Sequence, residues 1–558
     1  MEEMKWMGQW WRKVLRRFKR QKTTPLAANK RPVAPERQRQ IYNADELKQL
    51  PISRSLKKNL ERLKAIFGPS GDAVFRPFRL GVGEPIPAVL VFLDGMTDKT
   101  IINRDILKPL ILESRQARVE PPGKNVLGWA KESVLTAGEI HTAHTMEEVV
   151  TAVLYGAVAL LVQGQDRALT LSVQGWKSRE IGEPDSEVLV RGPREGFNET
   201  LRDNTTLIRR RLRSPNLVLE DLQIGKISHT GVSLAYLKGV VSPDLVLEVK
   251  RRLERIEIDG ILESGYLEEF IEDNPYSPFP QILHTERPDR VVAALLEGRV
   301  AILTDGTPFV LIVPAQIISF LTSPEDYYER FWLGTAIIWL RYLALIISLI
   351  LPSLYIAVTT FHQGMLPTRL LISIAAAREG VPFPALLEAL FMEFTFEVLR
   401  EAGTRLPRNV GQAVSIVGAL VIGQSAVQAG LVSPLMVIVV AVTGIASFAM
   451  PAFNFAITLR LLRFPLMLIS GVLGLYGLML GILFIVIHLA GLRSFGVPYL
   501  SSLAPLHISD FKDSLVRAPW WAMAKRPVEI AKLNQRRLGR ALQPSPSQPG
   551  SPQRGPKK

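Results

Sequence analysis

Residues 464–492 read FPLMLISGVLGLYGLMLGILFIVIHLAGL, an apolar stretch whose only ionisable groups are one histidine and one tyrosine. Three further apolar runs precede it, at 334–358, 410–430 and 433–457. Each run supplies the roughly 20 residues that a helix needs to cross about 30 Å of hydrocarbon. A large buried helical core is the alternative, but four such runs in succession are rare in soluble proteins. The sequence therefore predicts an integral membrane protein, with an all-α, multi-span transmembrane domain at 331–492 behind a long polar portion.

The basic charge of the chain is concentrated at its two ends. The 558 residues have a formal net charge of +15, and residues 1–40 and 493–558 each contain 12 Lys and Arg against 3 Asp and Glu. The interior is therefore slightly acidic, which argues against a nucleic-acid-binding body. Basic segments beside a bilayer are attracted to anionic lipids, so we expect membrane lipids as partners and no nucleic acid. The absence of cysteine excludes disulfides and thiolate chemistry.

The leader 1–50 and the basic C-terminal tail 493–558 have different expected structures. In residues 1–20, apolar and tryptophan side chains recur at helical spacing among Arg and Lys, which predicts a basic amphipathic helix at the membrane surface. A disordered basic leader is the alternative. After about residue 543 the tail is rich in Pro, Ser and Gly, and we expect disorder there.

Two segments of the polar portion resemble each other. Residues 149–164 read VVTAVLYGAVALLVQG and residues 291–306 read VVAALLEGRVAILTDG, with nine of sixteen positions identical. Gly298 is expected to end a helix, and Asp305-Gly306 suits a tight hairpin between two apolar strands. Chance similarity is the alternative to a duplication. The sequence predicts an α+β soluble domain of two related α/β subdomains. Their expected limits are 55–180 and 220–318, with a connecting segment at 181–219.

Motifs for catalysis or cofactor binding do not occur in the polar portion. It has no phosphate-binding loop and no nucleophile elbow, and the pair Gly81 and Gly83 lacks the third glycine of a dinucleotide fingerprint. His141 and His144 have no second pair of ligands beside them, so they are interpreted as surface residues. We expect no enzyme activity, no cofactor and no metal.

The segment 384–401, PALLEALFMEFTFEVLRE, carries charges within the apolar half. Charges inside a bilayer are costly unless they are paired or hydrated, so they suggest a function. The candidates for an ion path are Glu388, Glu393, Glu397 and Glu401. On a helical wheel, the last three share a face with Arg400, whereas Glu388 points almost the opposite way. The segment is either a helix that lines a water-filled cation path or an amphipathic helix on the membrane surface, and its residues leave both readings open.

Other polar residues and prolines of the apolar half are weaker candidates. The intramembrane polar residues are Arg341, Gln412, Gln424 and Gln428. The glutamines are expected to act mainly in helix packing. Pro352 and Pro451 are candidates for kinks that expose carbonyls for gating. Arg460 and Arg463 are interpreted as loop residues that precede the last span, and the charge distribution leaves a total of four to six spans.

Several long passages resemble the A subunit of the GerA-type spore germinant receptors. In the polar portion they are SLKKNLERLKAIFGPSGD (55–72), VRGPREGF (190–197) and TERPDRVVAALLEGRVAILTDGTPFVLIVP (285–314). In the apolar half they are SPEDYYERF (323–331), LISIAAAREGVPFPALLEALFMEFTFEVLREAG (371–403) and LRSFGVPYLSSLAP (492–505). The resemblance covers about 53–506 and leaves out the leader and the end of the tail.

The resemblance implies a multi-pass protein of the spore inner membrane whose α+β domain is cytosolic. It implies a transporter-like B subunit and a lipoprotein C subunit as partners, and an oligomeric, nutrient-gated channel that releases monovalent cations and starts germination. We expect a symmetric homo-oligomeric ring, because the helices of one chain provide little wall for an ion path. A stage V sporulation paralogue that amplifies ion release is the alternative within the superfamily. A transporter and a non-conducting membrane scaffold are the alternatives outside it.

Overall fold

The structure is a computed structural model that describes residues 44–81, 85–113, 126–135, 139–175, 183–184, 186–405, 423–507, 509–539 and 542–544. Several predictions fall outside these ranges and stay predictions. They concern the amphipathic helix at 1–20, the role of Gln412, most of the apolar run 410–430, and the disorder expected near the C-terminus.

The first sheet has five antiparallel strands in the order β1-β2-β4-β5-β3. The strands are β1 Ala73–Leu80, β2 Ile86–Leu93, β3 Ile140–Ala143, β4 Ala157–Val162 and β5 Ala168–Ser172. The helices are α1 Ala44–Lys48, α2 Leu56–Phe67, α3 Lys99–Ile101, α4 Val126–Trp129 and α5 Met146–Leu154, with π-helical turns at Ile102–Leu107, Pro109–Glu113 and Ala130–Val134. Alternate residues of β2 enter different cores, Val89 and Val91 on one face and Leu90 and Phe92 on the other. Both faces are covered, which explains why β2 is apolar at nearly every position.

The second sheet repeats this topology, with the order β6-β7-β9-β10-β8 and antiparallel pairing throughout. The strands are β6 Leu217–Ile224, β7 Thr230–Leu237, β8 Leu283–Thr285, β9 Val300–Thr304 and β10 Val310–Val313. The helices are α6 Leu201–Arg211, α7 Pro243–Glu254, α8 Ser264–Ile271 and α9 Pro288–Leu296. In both sheets, the order of the strands across the sheet is thus first, second, fourth, fifth and third, when the strands are numbered along the chain.

The glycines shared by the two repeated segments occupy equivalent turns. Gly156 and Gly298, which follow a helix, have φ angles of 87° and 92°. Gly164 and Gly306, at the hairpin between two buried strands, have φ angles of 85° and 87°. L-residues with side chains rarely adopt these angles, so glycine is required at all four positions. The expected hairpin at 305–306 lies between β9 and β10, while the subdomain limits themselves stay predictions.

Helix α6 of the connecting segment joins the two sheets through one buried arginine. Arg209 donates two hydrogen bonds to Asp72 of the first subdomain, at 2.9 and 3.0 Å. It also donates to the carbonyl of Leu217 in β6, at 3.1 Å. The side chains of the pair are only 1% and 3% exposed. The two sheets are therefore held together by a bidentate ion pair that water does not reach.

The apolar half forms a helical bundle. Its helices are α10 Ile317–Leu321, α11 Glu325–Tyr328, α12 Phe331–Thr360, α13 Thr368–Arg378, α14 Ala385–Arg405, α15 Gly423–Gln428, α16 Pro434–Phe448 and α17 Phe453–Gly491. Among the described residues, α12 and α17 are long and apolar enough to cross a membrane. The run 433–457, predicted as one span, is not one helix. Pro451 lies in the turn between α16 and α17, so the predicted kink at Pro451 is wrong, whereas Pro352 does lie inside α12.

Helix α17 is a hairpin that reverses at Gly474, so the prediction of a single span at 464–492 is wrong. Gly474 has a φ of 62° and a ψ of −143°. A side chain at this position would clash with His362, whose Cε1 lies 2.9 Å from where a Cβ would stand. Beyond the reversal the chain packs back on itself, with Gly481 directly against Leu466 of the first arm. Small residues at such a contact allow two helices to approach closely.

Both ends of the α17 hairpin contact the loop between α8 and β8. The hydroxyl of Thr458 donates to the carbonyl of Pro278 at 2.5 Å. At the other end, Nε2 of His488 lies 2.9 Å from the hydroxyl of Ser277. The hairpin therefore begins and ends on the side of the bundle that faces the sheets, and the C-terminal tail leaves the bundle on that side.

Candidate functional site

Two carboxylates of α14 are paired with arginines of α17 inside the bundle. Oε2 of Glu393 lies 2.5 Å from Nη1 of Arg463, and both side chains are 1% exposed. Oε2 of Glu397 lies 2.8 Å from Nη1 of Arg460, which is also buried. The two glutamates are one helical turn apart and the two arginines nearly so. Antiparallel packing of α14 against α17 therefore aligns both pairs at once.

Pro352 explains why Arg463 can be held at this depth. Proline has no N–H, so it leaves the carbonyl four residues before it, that of Ser348, without its helical partner. Arg463 Nε donates to this carbonyl at 2.9 Å, and Nη2 lies 3.3 Å from the hydroxyl of Ser348. The carbonyl that Pro352 leaves free is thus held in a fixed contact that anchors the ion pair, and a role of Pro352 in gating stays a prediction.

The sheet-side end of α14 carries Arg400 and Glu401. Arg400 lies over the ring of Phe448 at 4.5 Å and donates to the hydroxyl of Ser447 at 3.4 Å. Glu401 is 63% exposed and pairs with Arg405 one turn later, which makes it a surface group. The charged cluster inside the bundle comprises Glu393, Glu397, Arg400, Arg460 and Arg463. It has one more positive than negative charge.

Glu388 lies at the opposite end of α14 and holds the start of α16. It accepts a hydrogen bond from the backbone N–H of Ser433 at 2.5 Å and a second from the Ser433 hydroxyl. The same hydroxyl accepts from the N–H of Met436 as the N-cap of α16. A carboxylate at a helix N-terminus also opposes the helix dipole. Arg378 lies farther away, at 3.8 Å. Glu388 is therefore separate from the charged cluster, as its place on the helical wheel predicted.

The remaining predicted residues lie outside the charged cluster. Arg341 pairs with Asp326 and donates to the carbonyl of Leu321 at 3.2 Å, so its charge is directed to the sheet side of α12. Gln424 and Gln428 are exposed on α15. The structure does not bring these three side chains together with the carboxylates of α14.

Helix α14 has an apolar side outward and the charges of Glu393, Glu397 and Arg400 inward. Four apolar side chains at helical spacing are 51–64% exposed, namely Leu387, Phe391, Phe394 and Val398. A helix lying on a membrane surface requires the reverse arrangement, with its charges in water. That reading of 384–401 is therefore wrong. The exposed stripe is suited to lipid or to another apolar helix.

Sequence reasoning missed Arg460 and Arg463 as members of this site. The expectation that they are loop residues is wrong, because both lie within the first arm of α17 and are buried. Their spacing was the available signal. Two arginines three residues apart on an apolar helix complement two glutamates four residues apart on another.

The chain matches the family of Bacillus/Clostridium GerA spore germination proteins over residues 61–529. It is 47% identical to spore germination protein KA of Bacillus subtilis (strain 168) over 89% of this chain and 90% of that protein. It is 39% identical to spore germination protein GerLA of Bacillus cereus over 86% of this chain and 96% of that protein. Among solved structures, the chain is similar to the crystal structure of the N-terminal domain of the A subunit of the Bacillus megaterium spore germinant receptor GerK3, with 34% sequence identity. This match covers 48% of this chain and 97% of the GerK3 chain, with a TM-score of 0.39.

Proposed function

The chain belongs to the GerA family of spore germination proteins, and we propose that it is the A-type subunit of a nutrient germinant receptor. In this proposal it is a multi-pass protein of the spore inner membrane with its two sheets in the cytosol. It acts with a transporter-like B subunit and a lipoprotein C subunit, and it is not an enzyme.

The proposed spans are α12, α14, α16 and the two arms of α17. Glu388 contacts Ser433 at one end of the α14–α16 pair and Arg400 contacts Ser447 at the other, so these two helices run in the same direction. The apolar run 410–430, which the sequence predicts as a span, would return the chain across the bilayer between them and bring the proposed total to six. Six spans also place the basic tail on the sheet side, in agreement with the preference for positive charge in the cytoplasm.

We further propose that several copies form a ring whose opening releases monovalent cations, with α14 beside the ion path. The inward charges of α14 carry this proposal. Glu393 and Glu397 each keep one oxygen, Oε1, without a hydrogen-bond partner among the described residues. Carboxylates that are hydrated in a pore lower the barrier for cations. In the closed state Arg463 and Arg460 neutralise them, and opening would exchange these partners for water and cations.

The test is the Glu393→Gln, Glu397→Gln double variant in spores with an unchanged receptor level. We expect reduced cation release after nutrient addition, and Glu401→Gln is the matched control because Glu401 is exposed. The Glu393→Gln, Arg463→Gln variant separates a role of Glu393 in the ion path from its role in the ion pair. It removes the buried charge without leaving an unpaired arginine. Normal release from the double glutamate variant would exclude these carboxylates from the ion path. The purified chain in bilayers should conduct cations passively; coupled uptake would indicate a transporter, and neither activity a scaffold.

A further inference from the structure

The C-terminal segment 509–539 lies along the beginning of α12. The indole N–H of Trp339 donates to the carbonyl of Leu515 at 2.8 Å. The backbone N–H of Arg517 donates to the hydroxyl of Thr335 at 3.1 Å. The segment is thus attached to the first three turns of the longest unbroken apolar helix among the described residues.

The length of α12 places these contacts at the level of the lipid headgroups. Its 30 residues extend about 45 Å, whereas the hydrocarbon layer is about 30 Å thick. The far end of α12 meets the tip of the α17 hairpin, since Phe361 lies against Gly474. The surplus of about ten residues therefore falls at the sheet-side end, where Thr335 and Trp339 are located.

The exposed side chains of the segment are those of a membrane interface. Apolar and aromatic ones are Val516, Trp520, Trp521 and Leu533, at 41–63% exposure. Trp332 and Trp339 of α12 are also exposed, and tryptophan is enriched at headgroup depth. The exposed charged side chains of 509–539 are Lys512, Lys525, Lys532 and Arg536. Its three acids are buried or half-buried and partnered within the chain.

We propose that the segment 509–539 is a membrane-interface element that binds anionic phospholipid headgroups in the leaflet facing the sheets. This inference rests on the proposed membrane function. Val516 and Trp521 reach the acyl boundary, while Lys512, Lys525 and Lys532 contact the headgroup phosphates. Charge complementarity selects this partner, because the exposed charges of the segment are all positive and anionic lipid offers the opposite sign. Binding would hold the start of α12 at a fixed depth.

The absence of cysteine from the chain allows a direct test. Val516→Cys, labelled with a polarity-sensitive fluorophore, is reconstituted as full-length protein in nanodiscs of phosphatidylcholine alone or mixed with phosphatidylglycerol. We expect a blue-shifted emission with phosphatidylglycerol and a smaller shift without it. Replacing Lys512, Lys525 and Lys532 by Gln should remove this difference between the lipids. The matched control replaces Lys57, Lys58 and Lys131, three exposed lysines of the first subdomain, and should retain it.

A second label distinguishes failure of this inference from failure of the proposed function. Ile346 is 51% exposed on α12, beyond the headgroup level, so the label on Ile346→Cys should report an acyl environment in both lipids. An aqueous Ile346 label would overturn the membrane placement itself. With Ile346 in acyl chains, an aqueous Val516 label in both lipids would refute the interface segment. A Val516 shift that ignores lipid charge would refute the recognition of anionic headgroups.

Discussion

Loss of Arg463 should destabilise the bundle more than loss of Glu393, although the two residues form one pair. Arg463→Met leaves the buried carboxylate of Glu393 without its partner and also removes the donor to the Ser348 carbonyl. Glu393→Leu leaves Arg463 with both of its contacts to Ser348. Pro352 makes the difference, because a proline cannot supply the helical N–H that the Ser348 carbonyl lacks.

The expected magnitudes follow from these contacts. Removing one partner of a buried ion pair costs about 3–5 kcal/mol, and an unsatisfied buried carbonyl adds about 1–3 kcal/mol. We expect a loss of about 3 kcal/mol for Glu393→Leu and more than about 4 kcal/mol for Arg463→Met. The Glu393→Leu, Arg463→Met double variant should be more stable than Arg463→Met, with a remaining loss of about 1–3 kcal/mol, because it buries no charge but still leaves the Ser348 carbonyl without a donor. Pro352→Ala should recover about 1 kcal/mol in the Arg463→Met background by returning an N–H to Ser348.

The measurement is thermal unfolding of the full-length protein in nanodiscs, followed by tryptophan fluorescence. Arg405→Met is the control, since Arg405 is 78% exposed in its pair with Glu401 and its loss should cost at most about 1 kcal/mol. The reasoning is refuted if Arg463→Met unfolds at the parental temperature. It is also refuted if Glu393→Leu is the less stable single variant, or if Pro352→Ala leaves Arg463→Met unchanged.

Three further outcomes are expected. Arg209→Met should destabilise the part of the chain that forms the two sheets by about 3–5 kcal/mol, because it leaves the buried Asp72 without its partner; differential scanning calorimetry that shows no change would contradict this. Burial and the neighbouring Glu272 raise the pKa of Glu268 to about 8, from an ordinary value of 4.5. The unfolded chain loses this proton first, so stability falls as the pH rises from about 4.5 through about 8, and Glu268→Gln should raise the Tm near pH 9 but hardly near pH 5. A peptide of residues 1–20 should co-sediment with anionic liposomes and less so in salt, and salt-independent binding would disprove its electrostatic attraction.

Local patterns in the sequence were sufficient to predict those features of the fold that backbone geometry alone determines. Gly298 and Gly306 had to follow a helix and form a hairpin because few other residues adopt their φ angles. The helical wheel of α14 likewise separated Glu388 from Glu393 and Glu397. These inferences need only the residue and its neighbours along the chain.

Contacts between segments that are distant along the chain could not be predicted from such local patterns. Periodicity showed which face of α14 carried Glu393 and Glu397, but it did not show that Arg460 and Arg463 would face them. The reversal at Gly474 was missed because no polar loop separates the two arms of α17. In the sequence, a single glycine among apolar residues looks like the middle of one continuous span. Only the contact of Gly474 with the end of α12 distinguishes the tip of a hairpin from such a span.

The tip of the α17 hairpin bears on how the protein is made. In the proposed membrane arrangement, a hairpin that turns at one glycine between apolar neighbours would carry no hydrophilic loop across the bilayer, so its arms could enter together without translocating polar chain. The polar groups that this insertion would bring into lipid are instead Arg460 and Arg463 in the first arm. Helix α14 is synthesised earlier, so Glu393 and Glu397 are already present when these arginines arrive. If the proposed spans are correct, each half of the charged cluster would be unfavourable in lipid until the other joins it, so the bundle would be completed by its last helix rather than by its first.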